Sequence, residues 1–168
     1  MSELREFKEF SYELAIKSAG VIKQYFRTNI NVEFKSDSSP VTIADKKAEE
    51  IMRELISKEY PEHGIIGEEF ESVSEKAEYV WVLDPIDGTK SFICGAFSFG
   101  TLIALLQNGK PVLGVYNHPI LNDFLTGDNE KTKINDVVTT IFECKSLSDA
   151  VLLTTDHLNI EKYQNIEK

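Results

Sequence analysis

Two aspartates follow a short run with the composition of a buried strand. Residues 79–83 (YVWVL) are apolar and rich in types that favour strands, and Pro85 lacks a backbone donor, so it is expected to end the strand. Asp84 and Asp87 are therefore predicted to lie just beyond the sheet.

Both carboxylates and the Ile86 carbonyl between them can face one point, because Pro85 stiffens the turn that joins them. Such oxygen ligands suit Mg²⁺, which prefers carboxylates, retained waters and phosphate oxygens in an octahedron. Gly88 and Thr89 are predicted to open a helix, whose free N–H groups bind anions. A cation site beside an anion site indicates phosphate chemistry.

A further acidic element lies upstream, where the short apolar run at residues 64–67 (GIIG) leads into Glu68 and Glu69. One of these glutamates can complete the site that Asp84 and Asp87 begin. Three carboxylates that converge without a cation would repel one another, and their pKa values would rise.

A helix is predicted to begin within residues 40–45 (PVTIAD), with Thr42 as its N-cap. Asp45 follows three residues later, in the position of a capping box. The residues alone leave open whether Asp45 does more than cap this helix.

These motifs, taken in order, resemble the inositol monophosphatase superfamily of Mg²⁺-dependent, often lithium-sensitive phosphatases. The motifs are PVTIAD at 40–45, GEE at 67–69 and DPIDGT at 84–89. Residues 84–95 (DPIDGTKSFICG) and 99–105 (FGTLIAL) look most like the histidinol-phosphate phosphatase branch. After the Gly-Thr pair, residues 90–92 read Lys-Ser-Phe. Inositol phosphatases more often have Thr-Asn-Phe at this place and adenosine bisphosphatases have Lys-Glu-Phe, so this chain departs from both.

The resemblance implies a set of metal ligands. Glu68, Asp84 and the Ile86 carbonyl would hold a first Mg²⁺, and Asp84 would bridge to a second that Asp87 also holds. A complete site of this family takes two or three Mg²⁺ ions. In this chain, one well-formed metal site is expected.

The resemblance also assigns the catalytic residues Thr89, Asp45 and Glu68. Thr89, hydrogen-bonded to Asp45, would orient the attacking water on the metal that Glu68 binds, and no phosphoenzyme is needed. The amides of Gly88 and Thr89 would bind the phosphate of a small phosphorylated metabolite.

Composition excludes several classes of partner. The chain has 168 residues and a formal net charge of −10, which argues against a nucleic-acid polymer or an anionic membrane surface as partner. The charged start and the lack of a long apolar run predict neither a secretory signal nor a membrane span. The two cysteines, Cys94 and Cys144, are expected to be buried thiols of a reduced, cytoplasmic protein.

Two helices are predicted before the strands. Apolar residues recur at helical spacing over about residues 3–27, and a second amphipathic helix ends at Tyr60 and Pro61. Packing of the second helix against the sheet would hold Asp45 over the strand ends.

From residue 97 the pattern predicts strands over 97–106, 111–116 and 120–126, joined by turns at Asn108-Gly109 and His118-Pro119. A polar loop over 127–135 and a strand over 137–142 follow. The fold class is therefore α+β, with two N-terminal helices on an antiparallel meander sheet. The other histidines, His63 and His157, have no zinc-binding spacing.

Residues 1–145 are predicted to form an N-terminal α+β metal-binding phosphatase domain, and residues 146–168 the stub of a C-terminal α/β domain. A core strand is expected over 150–153 and a helix from Leu158, while Asp156 is interpreted as a surface residue. By resemblance this is the first half of a layered αβαβα fold. The family continues for roughly another hundred residues, which carry the last ligand of the second metal, and commonly forms homodimers.

The predicted function is Mg²⁺-dependent hydrolysis of a phosphate monoester, with histidinol phosphate as the favoured substrate. Inositol 1-phosphate and 3′(2′),5′-bisphosphate nucleotides are the alternatives. A rival from another class is an inactive metal-binding fragment, because the expected missing half supplies one ligand and covers a surface.

Overall fold

The computed structural model describes residues 3–151. The helices are α1 (Glu3–Tyr25), α2 (Ile43–Glu59), the short α3 (Thr89–Ile93) and a 3₁₀ turn (Leu147–Asp149). The strands are β1 (Val32–Phe34), β2 (Pro40–Thr42), β3 (Gly64–Gly67), β4 (Tyr79–Asp87), β5 (Gly100–Gln107), β6 (Lys110–His118), β7 (Asp123–Gly127), β8 (Thr132–Ile134) and β9 (Val137–Thr139).

The main sheet has seven strands in sequence order from β3 to β9, and β1 pairs with β2 in a separate hairpin. Every neighbouring pair from β4 onwards is antiparallel, whereas β3 and β4 are parallel. The α+β class and the meander are confirmed. The sheet is nevertheless mixed, because the long connection after β3 brings the chain back so that β4 runs in the same direction as β3.

Short turns set the register of the meander. Asn108 and Gly109 join β5 to β6 with φ of 50° and 76°, as a two-residue hairpin turn that matches the strand twist requires. At the end of β6, His118 Nδ1 accepts hydrogen bonds from the Ile120 and Leu121 amides at 3.3 and 3.1 Å. Both predicted turns are thus confirmed.

Both long helices pack on one face of the sheet. Their apolar stripes and the inward-facing strand residues form one buried cluster, with Leu14, Met52, Trp81 and Leu105 fully enclosed. Trp81 satisfies its indole N–H by donating to His63 Nδ1 at 3.1 Å. The two predicted helices are confirmed, and Phe7 and Phe10 of α1 belong to the core, whereas Tyr12 on the same helix is exposed.

A second, smaller core cluster lies where the helices meet the end of β4. It consists of Ile22, Ala44, Ala48, Ile86, Phe92 and Phe99. Burial of such side chains contributes roughly 1.5–3 kcal/mol for each large one. This cluster therefore fastens α2 and α3 to the strand end that carries the acidic residues.

Several predicted segments differ from the structure. The strands predicted from residues 97 and 120 begin only at Gly100 and Asp123. The residues between α1 and α2, for which no strand was predicted, contain the β1–β2 hairpin, and the predicted loop over 127–135 contains β8. The strand predicted over 137–142 stops at Thr139, and Ile141 and Phe142 are exposed. The strands β1, β2, β8 and β9 have only 3 residues each, which is too short for an alternation of apolar and polar residues to be recognised in the sequence.

The prediction that both cysteines are buried is wrong. Cys94 and Cys144 are exposed, because Cys94 terminates α3 at the surface and Cys144 lies in an irregular segment after β9. None of the helices within residues 3–151 is long and apolar enough to cross a membrane.

The predicted strand over 150–153 is not seen where it can be checked. Ala150 and Val151 are exposed and belong to no strand. Leu152, Leu153, Asp156, His157 and the helix predicted from Leu158 lie outside the described residues. The division between residues 1–145 and 146–168 stays a prediction.

Leu14→Ala should destabilise the chain by about 2–5 kcal/mol, because the fully buried Leu14 leaves a cavity between α1 and the sheet. Ile16→Ala is the matched control on the same helix. Ile16 is 48% exposed, so its truncation should cost under about 1 kcal/mol. Urea unfolding measures both, and equal losses would contradict this description of the core.

Asp128→Asn should make stability less dependent on pH below about pH 5. Asp128 bonds to Lys8 and accepts from the Lys131 and Glu130 amides, and these contacts lower its pKa to about 2. Because the folded pKa lies below the unfolded value, the stabilisation is present above about pH 4 and lost as pH falls towards 2.

The variant should therefore lose about 1–2 kcal/mol at pH 7 and little at pH 2, as measured by urea unfolding. Asp136→Asn, at an exposed position nearby, should leave the pH profile unchanged. A parallel shift at both pH values would show that Asp128 acts through something other than its charge.

Candidate active site

Parallel pairing of β3 with β4 brings two of the predicted site residues together. Gly67 pairs with Leu83, so Glu68 and Asp84 leave neighbouring strands at the same level. Burial, followed by contact with Glu68 and the charge of Asp87, raises the pKa of Asp84 to about 8. The sequence predicted such a rise from repulsion between converging carboxylates, but burial is the larger cause of the raised pKa of Asp84.

The end of β4 differs from the prediction. The strand does not stop before Pro85 but continues to Asp87, and its pairing with β5 shifts register between Asp84 and Asp87. Pro85 fits because it lies in this irregularity, where its carbonyl accepts from the Thr101 hydroxyl at 2.9 Å. The two aspartates therefore belong to the strand end and do not lie beyond the sheet.

Asp84 has an unsatisfied oxygen. Its Oδ1 is buried and has no hydrogen-bond partner within residues 3–151. A buried polar atom without a partner costs roughly 1–3 kcal/mol, and more when it is charged. Native structures leave few such atoms, and each one calls for an explanation.

Asp45 both caps α2 and faces the site. Its Oδ2 accepts from the Thr42 amide at 2.8 Å and from the Thr42 hydroxyl at 2.6 Å. Its Oδ1 lies 3.4 Å from the Thr89 hydroxyl, which also lies 3.1 Å from the Ile86 carbonyl. Burial raises the pKa of Asp45 although the Thr42 hydrogen bonds oppose this. The cap thus fixes one oxygen and leaves the other beside Thr89.

Gly88 opens α3 in a conformation that suits glycine. Its φ is 90°, and an added Cβ would lie 2.6 Å from the Ser98 carbonyl oxygen. The first N–H groups of a helix have no partner within the helix, so those of α3 remain available. With only five residues in α3, an anion here would depend on individual N–H groups more than on a helix dipole.

Sequence reasoning missed Lys35, which lies in the loop between β1 and β2. Its ammonium group donates to Glu68 at 2.8 Å and to Glu69 at 3.0 Å. Partial burial works against the charged form, but the two glutamates outweigh it and raise the pKa of Lys35. Nothing in the sequence around Lys35 indicated a role in the site, because only the β1–β2 hairpin brings this lysine there.

Glu49 and Arg53 of α2 were missed as well. Glu49 is fully buried and accepts from Arg53 Nε at 2.7 Å and from the Glu69 amide at 2.8 Å. The signal was available in the sequence, because a Glu and an Arg four residues apart pair on a helix. Glu49 also follows Asp45 by four residues, on the same side of α2.

The acidic cluster is open. Within residues 3–151, no three acidic, histidine or cysteine side chains are close enough to enclose a metal ion by themselves. A cavity of about 690 Å³ lies elsewhere, between α1 and the strands β7 and β8, and its lining includes none of the predicted site residues. The structure brings Asp45 near Thr89 and Glu68 near Asp84, while the assignment of ligands stays a prediction.

Known proteins resemble this chain over most of its length. The sequence profile of the inositol monophosphatase family matches residues 3–167. The chain is similar to the chloroplastic bifunctional phosphatase IMPL2 of Arabidopsis thaliana, with 48% identity over 165 residues that cover 96% of this chain and 48% of that protein. It is 42% identical over 116 residues to the histidinol-phosphatase of Chlorobaculum parvum, covering 68% of this chain and 45% of that protein.

The fold is also similar to solved structures. An inositol monophosphatase from Zymomonas mobilis superposes with a TM-score of 0.73 at 41% sequence identity, over 86% of this chain and 56% of that one. The chain therefore spans about half the length of the relatives that it matches. The match along nearly the whole sequence shows that the chain belongs to the inositol monophosphatase family.

Proposed function

We propose that the protein carrying this chain is a Mg²⁺-dependent phosphatase that hydrolyses small phosphate monoesters, with histidinol phosphate as its substrate. The observation that carries the proposal is the buried Oδ1 of Asp84, which has no hydrogen-bond partner within residues 3–151 and lies next to Glu68 and Asp87 at one strand end. Family membership supports the same conclusion.

The residues present fit a magnesium ion. The donors are hard oxygens of the kind Mg²⁺ prefers, and a cation would give the orphaned Asp84 oxygen its missing partner. Glu68, Asp84 and the Ile86 carbonyl would hold one ion, while Asp84 and Asp87 would contribute to another. When bound, Mg²⁺ lowers the pKa of water and neutralises charge on the leaving oxygen.

The remaining groups of the chain orient the reactants. Asp45 is held by Thr42, and its free oxygen faces Thr89, so the Thr89 hydroxyl has a defined direction from which to orient the attacking water. The free amides of Gly88 and Thr89 would hold the phosphate oxygens. Holding water and phosphate in fixed relative positions is itself a large part of catalysis.

Histidinol phosphate is preferred to inositol 1-phosphate and to bisphosphate nucleotides on two grounds. The segment KSFICG at residues 90–95 departs from the patterns of the other branches. The relative from Chlorobaculum parvum is a histidinol-phosphatase. A cytoplasmic location and a homodimer are part of the same proposal.

This chain by itself is proposed to bind one Mg²⁺ well and to turn over slowly. It spans about half of its relatives, and the acidic cluster within residues 3–151 is open. Calorimetric titration with Mg²⁺ and a phosphate-release assay on the purified chain test this. Two well-occupied sites with rapid turnover would contradict it.

The complete protein should hydrolyse histidinol phosphate with a higher kcat/KM than inositol 1-phosphate, and excess EDTA should abolish both activities, because the charge on the leaving oxygen would lose its counter-ion. Phosphate release measures both substrates under the same conditions. Equal or reversed kcat/KM values would contradict the substrate assignment, and full activity in EDTA would contradict the metal.

Asp84→Asn should lower activity of the complete protein by at least about a hundredfold, roughly 3 kcal/mol, and should cost more than Asp87→Asn. In EDTA at about pH 7 the same variant should be more stable than the parent by about 1 kcal/mol, because folding at this pH protonates Asp84, whose pKa is raised to about 8, whereas Asn needs no proton. Asp87 is exposed, so Asp87→Asn should change metal-free stability little. Urea unfolding and phosphate release measure these effects.

An Asp84→Asn variant with near-parental activity would show that the ligand assignment is wrong. A variant that is less stable than the parent in EDTA would show that Asp84 Oδ1 has a partner among the protein's own groups.

A further inference from the structure

Glu49 is a fully buried carboxylate on α2. Glutamate is almost never fully buried unless it is paired. Each oxygen of Glu49 has one partner: Oε1 accepts from Arg53 Nε at 2.7 Å, and Oε2 accepts from the Glu69 amide at 2.8 Å. One partner belongs to the same helix, whereas the other belongs to the segment that follows β3.

That segment, residues 67–70, is held at three points by these two side chains. Glu49 bonds the Glu69 amide, and Arg53 Nη2 donates to the Phe70 carbonyl at 3.0 Å. At Gly67 the fit leaves no room for a side chain, since an added Cβ would lie 1.8 Å from Glu49 Oε1 and 2.7 Å from Arg53 Nη2. Glu68 lies between these contacts.

Within residues 3–151, and apart from the pairing of β3 with β4, the other hydrogen bonds of this segment are made by side chains. β3 ends at Gly67, the Glu68 side chain is 42% exposed, and Lys35 donates to the carboxylates of Glu68 and Glu69. An exposed ion pair of this kind stabilises by at most about 1 kcal/mol. The bond from the buried Glu49 to the Glu69 amide is partly shielded from solvent, and the bond from Arg53 to the Phe70 carbonyl is exposed. Both contacts from α2 bond the main chain close to Glu68, so they set where Glu68 stands relative to Asp84.

We propose that Glu49 and Arg53 are positioning residues, which hold residues 67–70 so that the Glu68 carboxylate stays beside Asp84 for metal binding. This inference rests on the proposed function. The alternative is that Glu49 only joins α2 to the sheet. In that case, replacing Glu49 lowers stability and leaves metal affinity unchanged. Loss of a group that orients a ligand typically weakens metal affinity about 10–100-fold.

The first measurement is Mg²⁺ affinity of the 168-residue chain by calorimetry, at a temperature where every variant is folded. Glu49→Ala should raise the Kd roughly tenfold or more, and Glu49→Gln, which keeps an acceptor for the Glu69 amide, should raise it less. Glu50→Gln is the matched control, because Glu50 is the exposed neighbour on the same helix. Leu14→Ala controls for stability: it weakens the core and should leave the Kd unchanged.

The second measurement needs no metal. In EDTA, hydrogen exchange at the Glu69 amide should be slow in the parent and in Glu50→Gln, and at least about tenfold faster in Glu49→Ala. Parental exchange rates in Glu49→Ala would overturn the proposal, as would an unchanged Kd. If the parent binds no Mg²⁺, the proposed function fails, and the exchange rates alone then decide whether Glu49 holds this segment.

Arg53→Gln covers the case in which Glu49→Ala does not fold. Arg53 is only partly buried, so its replacement should be tolerated. The variant should free the Phe70 carbonyl and weaken Mg²⁺ binding severalfold. A parental Kd in both Arg53→Gln and Glu49→Gln would show that the pair has no positioning role.

Discussion

The register of β3 on β4 is the constraint on which the site depends. Because Gly67 pairs with Leu83, the next residue on each chain segment is an acid, so Glu68, just past the end of β3, lies beside Asp84, which is still within β4. A parallel pair needs a long return connection, which here occupies the residues between Gly67 and Tyr79. A shift by one residue would turn Glu68 to the opposite face and separate it from Asp84.

Placing several acidic side chains close together lowers the stability of the fold, and the surrounding groups offset only part of that cost. Lys35 supplies a positive charge to Glu68 and Glu69, but none of its hydrogen bonds reaches Asp84. Thr42 satisfies one oxygen of Asp45. The part of this cost that is not offset falls mainly on Asp84, whose pKa rises to about 8 and whose Oδ1 stays without a partner among the described residues. Stability sacrificed at one point in this way is typical of sites built to bind a ligand.

Helix α2 connects these effects. One side of it packs on the sheet, its first turn presents Asp45 to Thr89, and its second turn buries Glu49 against the segment that follows β3. The same element therefore contributes to the core and sets the place of two acidic groups. A change in how α2 packs would move both groups together.

The sequence by itself determined the elements and most of the candidate residues. Periodicity predicted α1 and α2, the Asn108-Gly109 turn predicted the β5–β6 hairpin, and Thr42 with Asp45 predicted the helix cap, because each depends on neighbours only a few residues apart. The acidic residues near the ends of β3 and β4 were predictable for the same reason, although the sequence placed Asp84 and Asp87 beyond the strand that in fact contains them.

Tertiary structure decided what those residues contact. Lys35 is 33 residues from Glu68 in sequence, and the Glu69 amide is 20 residues from Glu49, so no local pattern could pair them. The continuation of β4 through Pro85 likewise depends on Thr101 of the neighbouring strand, which accommodates the irregular pairing. Exposure of Cys94 and Cys144 was decided in the same way, because burial depends on which surfaces the fold brings together and not on residue type alone.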